Sequence, residues 1–146
     1  MSRRHVETLF CDDIRQEVAN KISFIGAYSS SLLVHDFPIV LPKLCLAVKV
    51  IAPADEPINS MKLRVLQNDD TLQEIDFDKQ QLTAASDAAE DDGDMPLRGR
   101  KQVTQFMLVF SPIRFDSACN LKVRVEADGE VLRGIGLKVD RAPRVT

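Results

Sequence analysis

Residues 44–51 read Leu-Cys-Leu-Ala-Val-Lys-Val-Ile. In an extended chain Leu44, Leu46, Val48 and Val50 point to one side, and Cys45, Ala47, Lys49 and Ile51 to the other. One face is therefore wholly aliphatic and the second nearly so, the pattern of a strand in the middle of a packed sheet. A buried helix also fits so short a run. Pro42 and Pro53 bracket it, however, and β-branched Val and Ile occupy it, which favours the strand. Burying one Leu or Val side chain stabilises by roughly 1.5–3 kcal/mol, so this segment can anchor a core.

A second stretch has the same two-faced character. Phe106, Leu108 and Phe110 interleave with Met107 and Val109, which makes residues 106–110 the natural neighbour of 44–51. Around these two, alternation marks Val6–Cys11, Ile22–Tyr28, a short piece at Leu32–Val34, Met61–Leu66 and a returning segment with Leu72, Ile75 and Phe77. Leu121, Val123 and Val125 alternate with Lys122, Arg124 and Glu126. The Asp128-Gly129 pair then favours a tight hairpin turn into Val131–Val139. The polar passage from Cys11 to Glu17 is expected to turn, with a short helix over Asp13–Asn20 as the alternative. Gly26 marks a bulge or a close backbone approach, as do Gly134 and Gly136. The expectation is an all-β, two-sheet antiparallel β-sandwich, immunoglobulin-like or C2-like, of about eight or nine strands, with a partly closed β-barrel as the alternative. Residues 1–146 form one such domain, interrupted at 80–101 by a mobile acidic loop in which a brief helix at the alanines is conceivable.

A chain of 146 residues with 45% hydrophobic and 28% charged residues is of an ordinary globular kind and long enough to form a core without disulfides. No apolar run follows the first basic residues, and none reaches the length of a membrane span, so neither a secretory signal nor membrane insertion is expected. Cys11, Cys45 and Cys119 are odd in number and set in apolar surroundings, as reduced thiols of a cytoplasmic protein would be. The net charge of −3 is unevenly spread. Residues 55–97 hold twelve acidic and three basic side chains, whereas residues 98–146 hold ten basic and five acidic. Halves of opposite sign attract, within one molecule or between copies. Nucleic acid is not an expected partner, because the basic half is partly neutralised by the same chain, and one Tyr and no Trp leave little surface for base stacking.

Three constellations bear on chemistry. Asp12, Asp13 and Arg15 could act as a polar site at a sheet end, or merely cap a turn through an exposed ion pair contributing at most about 1 kcal/mol. Asp87, Glu90, Asp91, Asp92 and Asp94, joined by Asp69 or Asp70, offer the carboxylate oxygens that Ca²⁺ prefers, although not at EF-hand spacing. Asp91, Asp92, Asp94, Arg98 and Arg100 are also the loop's candidates for partner contact. His5, Cys11, His35 and Cys45 lack the spacing of a zinc site, so no metal ligands are assigned. There is no nucleophile elbow and no phosphate-cradling glycine loop, so no catalytic residue and no cofactor are assigned; an enzyme would need a site assembled from distant residues.

Phe10-Cys11-Asp12-Asp13-Ile14-Arg15, Lys21-Ile22-Ser23-Phe24-Ile25-Gly26-Ala27-Tyr28, Phe37-Pro38-Ile39 and Leu41-Pro42-Lys43-Leu44 resemble a family of small bacterial and phage β-sandwich proteins classed as a domain of unknown function. The likeness spans about Leu9 to Val50, with the closing hairpin as a further candidate, and does not extend to Asp55–Lys101. It implies a small β domain in a phage or mobile-element setting and transfers no catalytic residues. The expected function is that of a non-enzymatic protein-interaction or structural module that binds another protein or its own copies. A Ca²⁺ or small-ligand binder using the end loops is the alternative.

Overall fold

The computed structural model describes residues 3–87 and 99–143, with side chains left out at 84–87. Among the described residues the chain forms twelve strands and one short α-helix: β1 (His5–Gln16), β2 (Ile22–Tyr28), β3 (Ser31–Val34), β4 (Ile39–Leu41), β5 (Leu44–Pro53), β6 (Met61–Gln67), β7 (Asp70–Phe77), α1 (Lys79–Ala85), β8 (Ser86–Asp87), β9 (Lys101–Phe110), β10 (Ile113–Phe115), β11 (Cys119–Ala127) and β12 (Glu130–Arg141). One five-stranded sheet runs β2-β1-β5-β9-β8, a second runs β3-β12-β11-β6-β7, and β4 and β10 pair as a small sheet of their own. None of the sheets closes into a barrel, and the architecture is an all-β sandwich.

The segment that decided the fold lies at the centre of the first sheet. β5 pairs with β1 on one side and with β9 on the other, with Leu46 opposite both Phe10 and Leu108. Leu44, Leu46, Val48 and Val50 are buried against the inner face of the second sheet, where Leu63, Val65, Leu121, Val123, Val125 and Val139 complete the core. Where the sheets come together at β1 and β12, an added Cβ at Gly134 would stand 2.6 Å from the Thr8 methyl. The Thr8 hydroxyl there donates to the Ile135 carbonyl.

The structure departs from the sequence expectation in four places. Extra strands arise from β4, β8 and β10, two or three residues each, too short to show alternation. The turn expected at Cys11–Glu17 is strand instead: β2 offers a partner as far as Gln16, so Asp12, Asp13 and Arg15 sit inside β1. The helix considered over Asp13–Asn20 shrinks to a single 3-10 turn at Val18–Asn20, with Ala19 at φ 66°. The second sheet is mixed, because β3 runs parallel to β12, with Leu32 opposite Val139.

The segment read as a loop from residue 80 begins with α1, whose start carries a capping box. The Gln81 amide donates to Asp78 Oδ1 at 2.8 Å, and the Asp78 amide to Gln81 Oε1 at 2.9 Å. The helix places Leu82 in the core. Residues 88–98, half of the expected mobile loop at 80–101, lie outside the described residues.

Candidate functional site

Asp12 and Asp13 follow Cys11, the last residue of β1 opposite β5. Asp12 accepts a hydrogen bond from the Tyr28 hydroxyl. Asp13 accepts from Lys43 Nζ at 2.6 Å, from Arg15 Nε at 3.5 Å and from the Ile14 amide at 3.0 Å. The Lys43 bond, reinforced by Arg15, holds the Asp13 carboxyl below its ordinary range. Burial, then the bond to Asp12, pushes the Tyr28 hydroxyl up to about 12. Of the three expected residues, Asp13 and Arg15 pair with each other and with Lys43, whereas Asp12 is held separately by Tyr28. Both carboxylates are engaged by neighbours of the same chain, and these contacts clasp β1 to Tyr28 of β2 and to Lys43 ahead of β5.

The remaining sequence candidates are only partly among the described residues. Asp91, Asp92, Asp94 and Arg98, with Glu90, lie outside the described residues. Arg100 is half-buried, and its carbonyl accepts from the Ala54 amide at 2.9 Å. Asp69 lies 3.5 Å from Lys122, and Asp70 is exposed at the start of β7. No group of three His, Cys, Asp or Glu residues is poised to hold a metal among the described residues. Cys11 and Cys45 do face each other, but His5 stands at the far end of β1, opposite Ile51, and His35 follows β3 in the other sheet.

A different group is assembled on the outer face of the second sheet. β6, β11 and β12 turn Leu63, Val65, Leu121, Val123, Val125 and Val139 inward and Phe77 of β7 packs against the same core, so the residues between them share one outer surface, polar for the most part but including Leu66 and Val131. The registers place Arg64 opposite Arg124 and Arg124 opposite Arg133, so three guanidinium groups occupy one rung across three adjacent strands. Lys62 and Lys122 stand on the rungs to either side.

Like charges directly opposite one another destabilise a sheet. The nearby acids only partly offset this. Glu74 and Asp76 lie 3.2 and 3.8 Å from Lys62, whose ammonium they hold above its ordinary value, and Asp69 goes to Lys122. None of Arg64, Arg124 and Arg133 forms an ion pair among the described residues. Arg124 donates instead to the Val123 carbonyl at 2.9 Å.

The rung borders two shallow hollows. One, of about 290 Å³, is lined by the cations Lys62, Arg64, Lys122 and Arg124 together with the carboxylates Asp69 and Glu126. The other, of about 370 Å³, is lined by Ser30, Asn120, Lys122, Arg124, Arg133 and Lys138. Such a surface can hold carboxylate or phosphate oxygens through several guanidinium donors at once. The alternation at Met61–Leu66 and at Leu121–Glu126 puts Lys62 with Arg64, and Lys122 with Arg124, on the polar faces of two separate strands. What it lacked was the register that sets them side by side.

A family model described as a family of unknown function (DUF6941) matches residues 8–140, which takes in most of β1 through most of β12. Neither a curated protein nor a solved structure matches the chain.

Proposed function

The chain belongs to DUF6941, a family of unknown function, and from that premise we propose that it is a non-enzymatic binding module whose cationic sheet face takes an acidic segment of a protein partner. The observation that carries this reading is the Arg64, Arg124 and Arg133 rung, without ion pairs among the described residues and bordered by open hollows. Arginine suits carboxylate recognition because its planar fork meets a carboxylate with two parallel bonds, and because it sheds water more readily than lysine does. A protein partner fits better than nucleic acid. No aromatic side chain lines either hollow.

Fluorescence anisotropy of a labelled poly-glutamate peptide titrated with the full chain tests the proposal. Saturable binding at low salt that fades near about 0.5 M salt, where the screening length falls to a few ångströms, is the expected result. Failure to bind, or tighter binding of a single-stranded oligonucleotide of equal length, overturns it.

One observation supports a second reading, in which the acidic partner is another copy. Across the same face the charge passes from Glu74 and Asp76 on β7 to Arg133 and Lys138 on β12. Two copies packed face to face with strand order reversed set acid against base on both sides. Light scattering at low and high salt separates the readings: a dimer that dissociates with salt favours self-association, and a monomer throughout favours a foreign partner.

A further inference from the structure

Cys11 on β1 and Cys45 on β5 are direct cross-strand partners, and both are fully buried free thiols. Antiparallel partners have Cα atoms roughly 4.5–5.5 Å apart, within the range of roughly 4.4–6.8 Å that a disulfide spans. Partners on one rung also project their side chains to the same side of the sheet, here the side turned away from the core, because Phe10 and Leu46 face inward. The third thiol, Cys119, lies in the other sheet and is part of the core.

Just past this pair, β1 leaves β5. The Asp13 carbonyl accepts from Cys11 Sγ at 3.3 Å and the Asp12 carbonyl from Cys45 Sγ at 3.8 Å, so the two peptide groups cap both sulfurs. The clasp holding that cap consists of Lys43 on Asp13 and Tyr28 on Asp12. Lys43 and Asp13 are both accessible to water, and exposed ion pairs of this kind open readily.

We propose that Cys11 and Cys45 are a redox modification site, forming a reversible cross-strand disulfide under peroxide, with the Asp12 and Asp13 cap controlling access. In the first step one thiolate attacks a peroxide oxygen: the O–O bond breaks, an S–O bond forms, and hydroxide leaves and takes up a proton as water. In the second step the other thiolate attacks the sulfenic sulfur. The S–S bond forms, the S–O bond breaks, and a second water departs. The two sulfurs together lose two electrons, which reduce one peroxide. A small dithiol reverses the change by thiol–disulfide exchange. Burial, and then the neighbouring Cys45, holds the Cys11 thiol above its ordinary value. Oxidation therefore quickens as pH rises, since the thiolate is the attacking species.

The test is treatment of the native full-length protein with hydrogen peroxide, followed by thiol titration, intact mass and peptide mapping. Expected are loss of two of the three thiols, a mass decrease of about 2 Da, a link between the peptides holding Cys11 and Cys45, and full recovery with dithiothreitol. Cys119→Ser keeps this behaviour, and Cys11→Ser and Cys45→Ser each lose it. Lys43→Ala and Tyr28→Phe, checked for native circular dichroism, form the same link several-fold faster. Retention of all three thiols in the wild type and in both cap variants overturns the proposal. So does conversion of single thiols to sulfinic acid without the link, or a link that includes Cys119.

Discussion

Gly26 and Asp128 show how single residues hold this molecule together. Gly26 lies in β2 at φ +68°, in the left-handed region, and a Cβ added there would fall inside the Asp12 carboxylate. Gly26→Ala thus meets backbone strain and a clash together. It is expected to lower stability by about 1–3 kcal/mol, read from the urea midpoint. Asp128, at φ 50° in the β11 to β12 turn, accepts from the Ser60 amide at 2.9 Å, the Asn59 amide at 3.2 Å and Arg4 at 3.2 Å. Desolvation pushes its carboxyl up, but these donors outweigh that effect and leave it below the ordinary range. Asp128→Ala should cost about 1–2 kcal/mol at neutral pH. A carboxyl depressed by folding contributes stability that is present above its unfolded value near about 3.9, and that is lost as pH falls through the folded one. The gap between wild type and Asp128→Ala should accordingly hold down to about pH 4 and close below it, which denaturation at stepped pH measures. The turn itself was legible from Asp128-Gly129. The reach of that carboxylate to a loop 68 residues away was not, because nothing local in sequence encodes it.

Among the elements, β5 carries the greatest share of the burial. Leu46→Ala removes a side chain with no exposure from between β1 and β9, and is expected to cost about 2–5 kcal/mol in chemical denaturation. Lys49→Ala, on the wet side of the same strand, should stay within about 0.5 kcal/mol. Two-residue alternation revealed the long strands because one face of each meets the core, and it revealed the pairing of 44–51 with 106–110 because both are apolar on both faces. It failed for β4 and β10, whose three residues hold hardly one full period. It failed also at Asp12–Gln16, where β1 continues past its core-facing part as one strand of a two-stranded ribbon with β2. The Asp12, Asp13 and Arg15 cluster was legible as a group of polar neighbours. Its partners Tyr28 and Lys43 come from β2 and from the residue before β5, which only the ladder brings near.

At the scale of the whole molecule, the acid and base imbalance visible along the chain becomes a gradient across one sheet face, with an arginine rung toward the basic side. The alternation at Met61–Leu66 and at Leu121–Glu126 predicts a polar face for β6 and β11. The coincidence of Arg64, Arg124 and Arg133 depends on register, which the two hairpin turns and the inward Leu and Val set, and which no single segment reveals. Because these side chains point away from the core, reversing their charge should leave the fold intact and separate binding from stability. The decisive measurement is the anisotropy titration of poly-glutamate with a triple variant, Arg64→Glu, Arg124→Glu and Arg133→Glu, whose circular dichroism and urea midpoint match those of the wild type. Loss of poly-glutamate binding by at least about 100-fold, with gained affinity for poly-lysine, is the predicted result. Unchanged affinity for poly-glutamate in a folded triple variant would contradict the proposal that this face is where the protein meets its partner.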